Sequence, residues 1–226
     1  MATMPVPSTT GQPDASAGSA PEAWFASAPG RALLDSEWPH LRARLGERPG
    51  QHWLWLGPAA MASAELAGPG IPLRRAGEAW LGPVRCALPL PLANESVASI
   101  VLQHPALSGP ETEALLSECA RVLVPGAALS VYCLNPLSPW RWRWGGGGPG
   151  ASEPQPWRRR LRAAGLAPDP VSEGLGPRWG TEADATVQHG PGVRAAWVLR
   201  ARKRLVPLTP VRTRAPLRIG AGAPAA

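Results

Sequence analysis

Among the histidines of this chain, His104 is the one whose surroundings suit chemistry. It follows directly on Ile100-Val101-Leu102-Gln103, an apolar run that reads as an inner strand of a sheet. An imidazole at the end of such a strand can take a proton from a substrate hydroxyl or amine near neutral pH, or it can serve as a hydrogen-bonded wall residue. His40, His52 and His189 share no ligand spacing with any cysteine, which argues against a metal site. Cys86, Cys119 and Cys133 are odd in number and far apart, so they read as core-filling thiols in a reducing cytoplasm, not as a disulfide framework. Ser63, Ser96 and Ser130 lack the strand-turn-helix setting of a nucleophile elbow, and hydrolase chemistry has no support. The run Gly145 to Gly148 lacks the Lys-Ser/Thr ending of a phosphate loop and reads as a hinge. Before it stands Trp140-Arg141-Trp142-Arg143-Trp144. Alternating indoles and guanidiniums suit a cover over a ligand, a stacking surface for bases or lipid headgroups, or side chains that roof the core beneath a long loop.

A side chain at position 104 is useful only if strands and helices hold it at an open edge. Leu34, Trp38, Leu41 and Leu45 recur at helical spacing and predict a first helix, stopped by Pro49-Gly50. Residues 53–56 predict a buried strand ending at Gly57-Pro58, and 59–67 have helical potential. From 71 to 95 the chain is broken by Pro72, Pro83, Pro89 and Pro91, so only short strands are expected, 84–88 foremost. Residues 97–103 predict a strand. Ser108 and Glu111, with Pro110 between them, start a helix with Leu115, Cys119, Val122 and Leu123 on its inner face, ended by Pro125-Gly126. A strand over 128–134 ends at Asn135-Pro136, a loop runs to a helix over 157–164, and 186–188 with 193–200 predict a hairpin. Alternating strands and helices imply an α/β fold with a mostly parallel sheet, helices on both faces and an antiparallel C-terminal edge hairpin.

Several of these stretches resemble one family. The signs are Leu88-Pro89 before Ser96-Val97, the strand 100–103 followed by His104, and a helix closed by Arg121-Val122-Leu123-Val124-Pro125-Gly126. The next strand ends in Asn135-Pro136. The flanks carry Trp24-Phe25 with Gly30 and Leu34, and Ala201-Arg202-Lys203-Arg204 before Pro207-Leu208-Thr209-Pro210. Over about residues 24–212 the chain resembles class I S-adenosylmethionine-dependent methyltransferases, in particular the small bacterial methyltransferase type 11 group. The resemblance implies a Rossmann-like domain, S-adenosylmethionine as cofactor and methyl transfer to an unidentified acceptor. In open α/β sheets ligands bind beyond the carboxyl ends of the strands. Those ends are expected at Leu56-Gly57, toward the methionine part of the cofactor, and at Ala87-Leu88 and Gln103-His104, flanking the adenine and the sulfonium. The sequence departs from the family where Gly57 is the only glycine of the first loop. Residues 73–75 read Leu-Arg-Arg with no carboxylate for the ribose, and Ala98 stands where Asp is frequent. The alternative reading is an inactive methyltransferase-like protein that binds a partner.

Composition sets the frame. The chain has 226 residues with 25 Gly and 29 Pro, enough for one domain of about 150–200 residues with tails. The tails 1–22 and 207–226, rich in small residues and proline, are expected to be disordered around a domain at 23–206. No stretch has the ~18 consecutive apolar residues of a membrane span, and residues 1–20 lack the pattern of a secretory signal. The net charge is +7, with 8 basic and 11 acidic side chains in residues 1–140 but 15 basic and 5 acidic ones in 141–226. This basic last third is either a solubilising surface or a weak contact for nucleic acid or an anionic surface.

Overall fold

The computed structural model describes residues 20–58, 68–77, 79–107, 109–143, 150–190 and 192–204. Its helices are α1 (Ala20–Phe25), α2 (Ala28–Leu45), α3 (Gly109–Val122) and α4 (Pro154–Ala163). The strands are β1 (Trp53–Gly57), β2 (Gly70–Ala76), β3 (Ala79–Leu81), β4 (Arg85–Cys86) and β5 (Val97–Gln103). There follow β6 (Leu123–Leu134), β7 (Leu166–Pro168), β8 (Glu173–Leu175), β9 (Gln188–His189) and β10 (Ala196–Lys203). All join one sheet in the order β4-β3-β2-β1-β5-β6-β10-β8-β9, with β7 also paired to β10. The central strands β2, β1, β5 and β6 are parallel, and antiparallel strands complete both ends. This is the expected α/β sheet.

Local differences have physical reasons. α2 starts one turn before the apolar row, because Ser27 caps it by accepting from the Gly30 N–H at 3.3 Å. It ends at Leu45, where the Gly46 N–H closes on the Arg42 carbonyl, ahead of the Pro49-Gly50 stop. The proline-broken region holds a full parallel strand, β2, because Pro72 lies within a strand whose other residues still pair with β1. The strand expected over 84–88 shrinks to β4. The expected hairpin is also rearranged. β10 does not pair with β9; β8 lies between them, so the antiparallel end of the sheet has more strands than a two-strand hairpin. The helix expected over 59–67 and the Ser108 cap lie outside the described residues, as do most of the two tails; of the N-terminal one, Ala20 already begins α1.

Strand alternation sorts the core onto two faces. Leu54, Leu56, Ile100, Leu102, Leu129 and Val131 pack against Leu115, Leu116 and Cys119 of α3 and Trp157 and Leu161 of α4. Trp53, Trp55, Val101 and Tyr132 face Leu41 and Leu45 of α2. A third cluster joins Trp24 and Phe25 of α1 to Leu33, Leu134 and Trp140.

That last contact places Trp140 with the reading in which the stretch roofs the core. Residues Pro139–Arg143 form a 3-10 turn. Trp140 is 1% exposed, meets Trp24 edge-on with ring centroids 6.1 Å apart, and donates its indole N–H to the Gly180 carbonyl at 2.7 Å. Trp142 is 80% exposed. Trp144 and the Gly145–Gly148 hinge lie outside the described residues.

Part of the basic excess ties the fold together. Arg194 is buried and donates to the Gly176 carbonyl and to Asp184, at 2.8 and 2.7 Å. Arg200 pairs with Glu47, and Lys203 reaches the Leu123 carbonyl and Glu95. Arg158 donates to the carbonyls of Asp169 and Pro170. Under the sheet, His40 sits between the Tyr132 hydroxyl, 2.7 Å from Nδ1, and Glu173, 2.9 Å from Nε2. Burial lowers the His40 pKa, helped by the Arg44 charge and opposed by Glu173.

Two outcomes are expected. Trp140→Ala should cost about 3–5 kcal/mol in urea unfolding, whereas Trp142→Ala should stay within about 0.5 kcal/mol. Because His40 titrates lower in the folded state than in the unfolded one, the unfolded chain binds more protons below pH ~6.5. His40 stabilisation is therefore complete above that pH and declines as pH falls through it toward the folded pKa. His40→Gln should flatten the corresponding slope of stability between pH 7.5 and 5.5.

Candidate functional site

The strand order reverses between β1 and β5: β2 lies on one side of β1, and β5 followed by β6 on the other. Connections leave in opposite directions at such a point, so the carboxyl ends of the strands part and leave a crevice. A cavity of about 190 Å³ occupies it. Leu56 and Gly57 reach it from β1, Gln103 from β5 with His104 just beyond, Arg75 from β2 and Trp80 from β3, and Phe25 closes it from α1.

One carboxylate organises this edge. Glu37 of α2 is fully buried. Gln103 donates its side-chain N–H to Glu37 Oε2 at 2.7 Å, and His104 Nε2 lies 3.1 Å from both Glu37 oxygens. The Gln103 oxygen in turn accepts from the Trp55 indole N–H at 3.1 Å. Successive residues of an extended strand point to opposite faces, yet Gln103 and His104 both reach Glu37. The chain achieves this by turning at His104, whose φ is +48°, in the left-handed region that few side chains adopt. Such a conformation costs about 1–3 kcal/mol and persists where surrounding contacts impose it. Here those contacts are the Glu37 hydrogen bond, the Phe25 ring stacked on the imidazole at 5.0 Å and 26°, and the His104 N–H bonded to the Tyr132 carbonyl. The other ring nitrogen, Nδ1, is buried with no hydrogen-bond partner among the described residues.

Of the expected site residues, Leu56, Gly57, Gln103 and His104 line the cavity, and Ala87 and Leu88 do not. They follow β4, the outermost strand, where Ala87 is exposed and Leu88 packs on the α3 side of the core. The place beside β1 belongs to β2, which brings Arg75. Gly57 has a second reason to be glycine: a Cβ there would collide with the Trp55 indole, which lies across it. The described chain near β2 offers the cavity a guanidinium and no carboxylate; Arg75 pairs with Glu111 at 2.9 Å and lies over the Trp80 ring at 5.9 Å.

Glu37, Arg75, Trp80 and Phe25 are site residues that the sequence reading did not assign. Glu37 had a signal. Leu33, Glu37, Leu41 and Leu45 form a row at intervals of four along α2, so a carboxylate interrupts the buried stripe. Reading the row from Leu34 and Trp38 hides it.

Compared with solved structures, the fold is similar to that of an S-adenosylmethionine-dependent methyltransferase from Thermotoga maritima described as a possible histamine N-methyltransferase. Identity is 17%, 82% of this chain and 99% of that one are covered, and the TM-score is 0.53. It is also similar to a chain of the complex between a methyltransferase activator and a putative methyltransferase from Haloferax volcanii, at 14% identity, with 82% and 98% covered and a TM-score of 0.53. No family model and no curated protein matches the chain. At these identities the likeness establishes the fold, the Rossmann-like α/β architecture that those methyltransferases share.

Removing Glu37 should leave the Gln103 and His104 donors buried and unpaired, at about 1–3 kcal/mol each. Glu37→Leu is therefore expected to lower stability by about 2–5 kcal/mol in urea unfolding. Combining it with Gln103→Leu and His104→Phe should recover part of that loss, because replacing both partners of a buried bond by apolar groups is nearly neutral, while the Trp55 indole N–H, deprived of the Gln103 oxygen, keeps about 1–3 kcal/mol of it. No recovery in the triple variant would show that the network is required for folding itself.

Proposed function

We propose that the chain transfers a methyl group from S-adenosylmethionine to an acceptor, with its reaction site at the cavity between β1 and β5. The single observation that carries this reading is the position of that cavity. It lies at the switch point of a fold shared with S-adenosylmethionine-dependent methyltransferases, and it holds a buried Glu37–His104 pair at its wall. The residues present fit the cofactor in its flat and cationic parts. The rings of Phe25 and Trp80 offer faces to a purine or a sulfonium, and the Leu56-Gly57-Pro58 segment admits the chain of the ligand past its backbone. The ribose diol meets no carboxylate among the described residues; Arg75 stands on that side, and its guanidinium can donate to hydroxyl oxygens.

When bound, S-adenosylmethionine supplies a methyl group already activated on a sulfonium. What remains for the protein is to orient the acceptor, exclude water and manage one proton. Glu37 holds the imidazole of His104 through Nε2, which fixes the ring and leaves Nδ1 as the atom able to take a proton from an acceptor O–H or N–H. A neighbour solved with an activator raises the prospect of a protein partner here as well. The rival reading, an inactive protein that binds anionic partners through its last third, is weakened because Arg158, Arg194, Arg200 and Lys203 are all engaged within the fold.

Calorimetry with S-adenosylmethionine and its demethylated product, S-adenosylhomocysteine, tests the proposal. Saturable binding of both is expected, and Phe25→Leu, which keeps an apolar group but removes the ring face, should weaken it about tenfold. No heat with either ligand at millimolar concentration would overturn the reading.

A further inference from the structure

A second cavity, of about 400 Å³, lies on the opposite side of the segment His104-Pro105-Ala106, which lines both. Its remaining walls come from the α3 and α4 side of the sheet: Thr112 on α3, Cys133 on β6, Ser152 ahead of α4, and Trp157 and Arg160 on α4. Among the described residues no carboxylate lines it, and Arg160 is its only Lys or Arg side chain. The guanidinium lies over the Trp157 ring, 5.8 Å from the centroid, and makes no hydrogen bond or ion pair among the described residues. Its neighbours differ: Arg158 is bound to the carbonyls of Asp169 and Pro170, and Arg159 and Arg162 are exposed on other sides of the helix.

The indole beneath Arg160 is itself fixed. Trp157 is buried and donates its N–H to the Ser152 hydroxyl at 2.7 Å, while the Ser152 carbonyl accepts from the Trp197 indole, also at 2.7 Å. The guanidinium therefore rests on an immobilised platform at the rim of a concave, half-polar space. A guanidinium presents paired donors in a planar fork that matches a carboxylate or a phosphate, and stacking on a ring holds that fork in place.

We propose that this second cavity is the site of a small anionic acceptor, whose carboxylate or phosphate binds Arg160 while its other end lies toward His104. The inference rests on the methyl-transfer reading for the word acceptor; the anion site itself rests on the cavity and Arg160 alone. The volume suits a single-ring compound, within the usual ~300–1,000 Å³ of small-molecule pockets. Neutral analogues of the same shape lose the charge-assisted bond and bind more weakly.

The test is calorimetry on the full chain with 4-hydroxybenzoate, phenyl phosphate and phenol as probes, and S-adenosylhomocysteine titrated in parallel. Either or both anions should bind at least about tenfold more tightly than phenol, and the tighter of the two identifies the anion type. Arg160→Gln should abolish the preference and leave S-adenosylhomocysteine binding unchanged. Gly150→Asp gives an independent variant. Gly150 is exposed at the cavity rim and a Cβ there meets nothing within 4 Å, so the fold is kept while a carboxylate is brought to the site. It should reduce anion binding and spare phenol. Equal binding of phenol and both anions, or an anion preference that survives Arg160→Gln or, if that variant does not fold, Gly150→Asp, overturns the proposal. Anion binding through Arg160 without any S-adenosylhomocysteine binding would leave the anion site standing and remove the methyl-transfer reading.

Discussion

A carboxylate without access to water is the constraint around which the rest of this edge is arranged. Burying an ionisable group is costly unless its own polar atoms are paired. Glu37 meets that condition by collecting donors from two consecutive residues, Gln103 and His104, which an extended strand cannot present together. The left-handed turn at His104 follows from this, and so does the position of Phe25, whose ring covers the imidazole and closes the cavity. α1 can lie close enough to do so because Gly30 has no side chain: a Cβ there would collide with the backbone of Trp24 and Phe25. The segment that leaves His104 then becomes the boundary between two cavities. An apolar set of side chains would fill the same space at lower cost. Under the methyl-transfer proposal, the network serves to hold the His104 ring at the open edge of the sheet.

The tryptophans show the same economy at the level of packing. Trp53 lies across Gly70, and Trp55 lies across Gly57, so each indole runs along the sheet over a residue that offers no obstacle. Trp55 also donates to Gln103, which links the β1 packing to the Glu37 network. Gly57 thus serves two purposes: its missing side chain accommodates an indole on the α2 side, and its backbone borders the cavity. A glycine at the end of the first strand is therefore poor evidence of a cofactor loop when taken alone.

How far the sequence could be read depended on whether a signal was local. β5 was legible because Val97–Gln103 is mostly apolar, with Ile100-Val101-Leu102 at its centre, and is buried on both faces. α3 was legible from the helical spacing of Leu115, Cys119 and Val122. β2 was hidden, because Arg74, Arg75 and Pro72 read as a broken surface segment and its strand character comes from pairing with β1. The misplacement of Ala87 and Leu88 follows from that one omission. β9 and β10 look like a hairpin around Gly190 and Gly192, but non-local pairing puts β8 between them. The Trp140 to Trp144 stretch alternates as a strand face would, yet Pro139–Arg143 form a 3-10 turn in which Trp140 is buried and Trp142 exposed. His104 stood out because a titratable group directly follows a buried strand. Its partner Glu37 is 67 residues away in sequence, and only the row Leu33, Glu37, Leu41 and Leu45 marks it.

Under the methyl-transfer proposal, the remaining departure from the resembled family concerns charge on the Arg75 side of the cavity, where the ribose would lie. A carboxylate there accepts from both hydroxyls of a diol, so its replacement by Arg75 inverts the hydrogen-bonding sense of the site. The guanidinium can only donate, and two of its donors already serve the Gly77 carbonyl and Glu111. A diol can still act as acceptor, but it loses the partner for its own protons. The cost falls on affinity and not on the chemistry of transfer, because the reactive centre of the cofactor is elsewhere in the molecule. On the opposite wall both oxygens of Glu37 are bonded, to Gln103 and His104. The two walls of the cavity therefore differ in kind: a guanidinium held by other partners on one, a buried carboxylate with both oxygens bonded on the other.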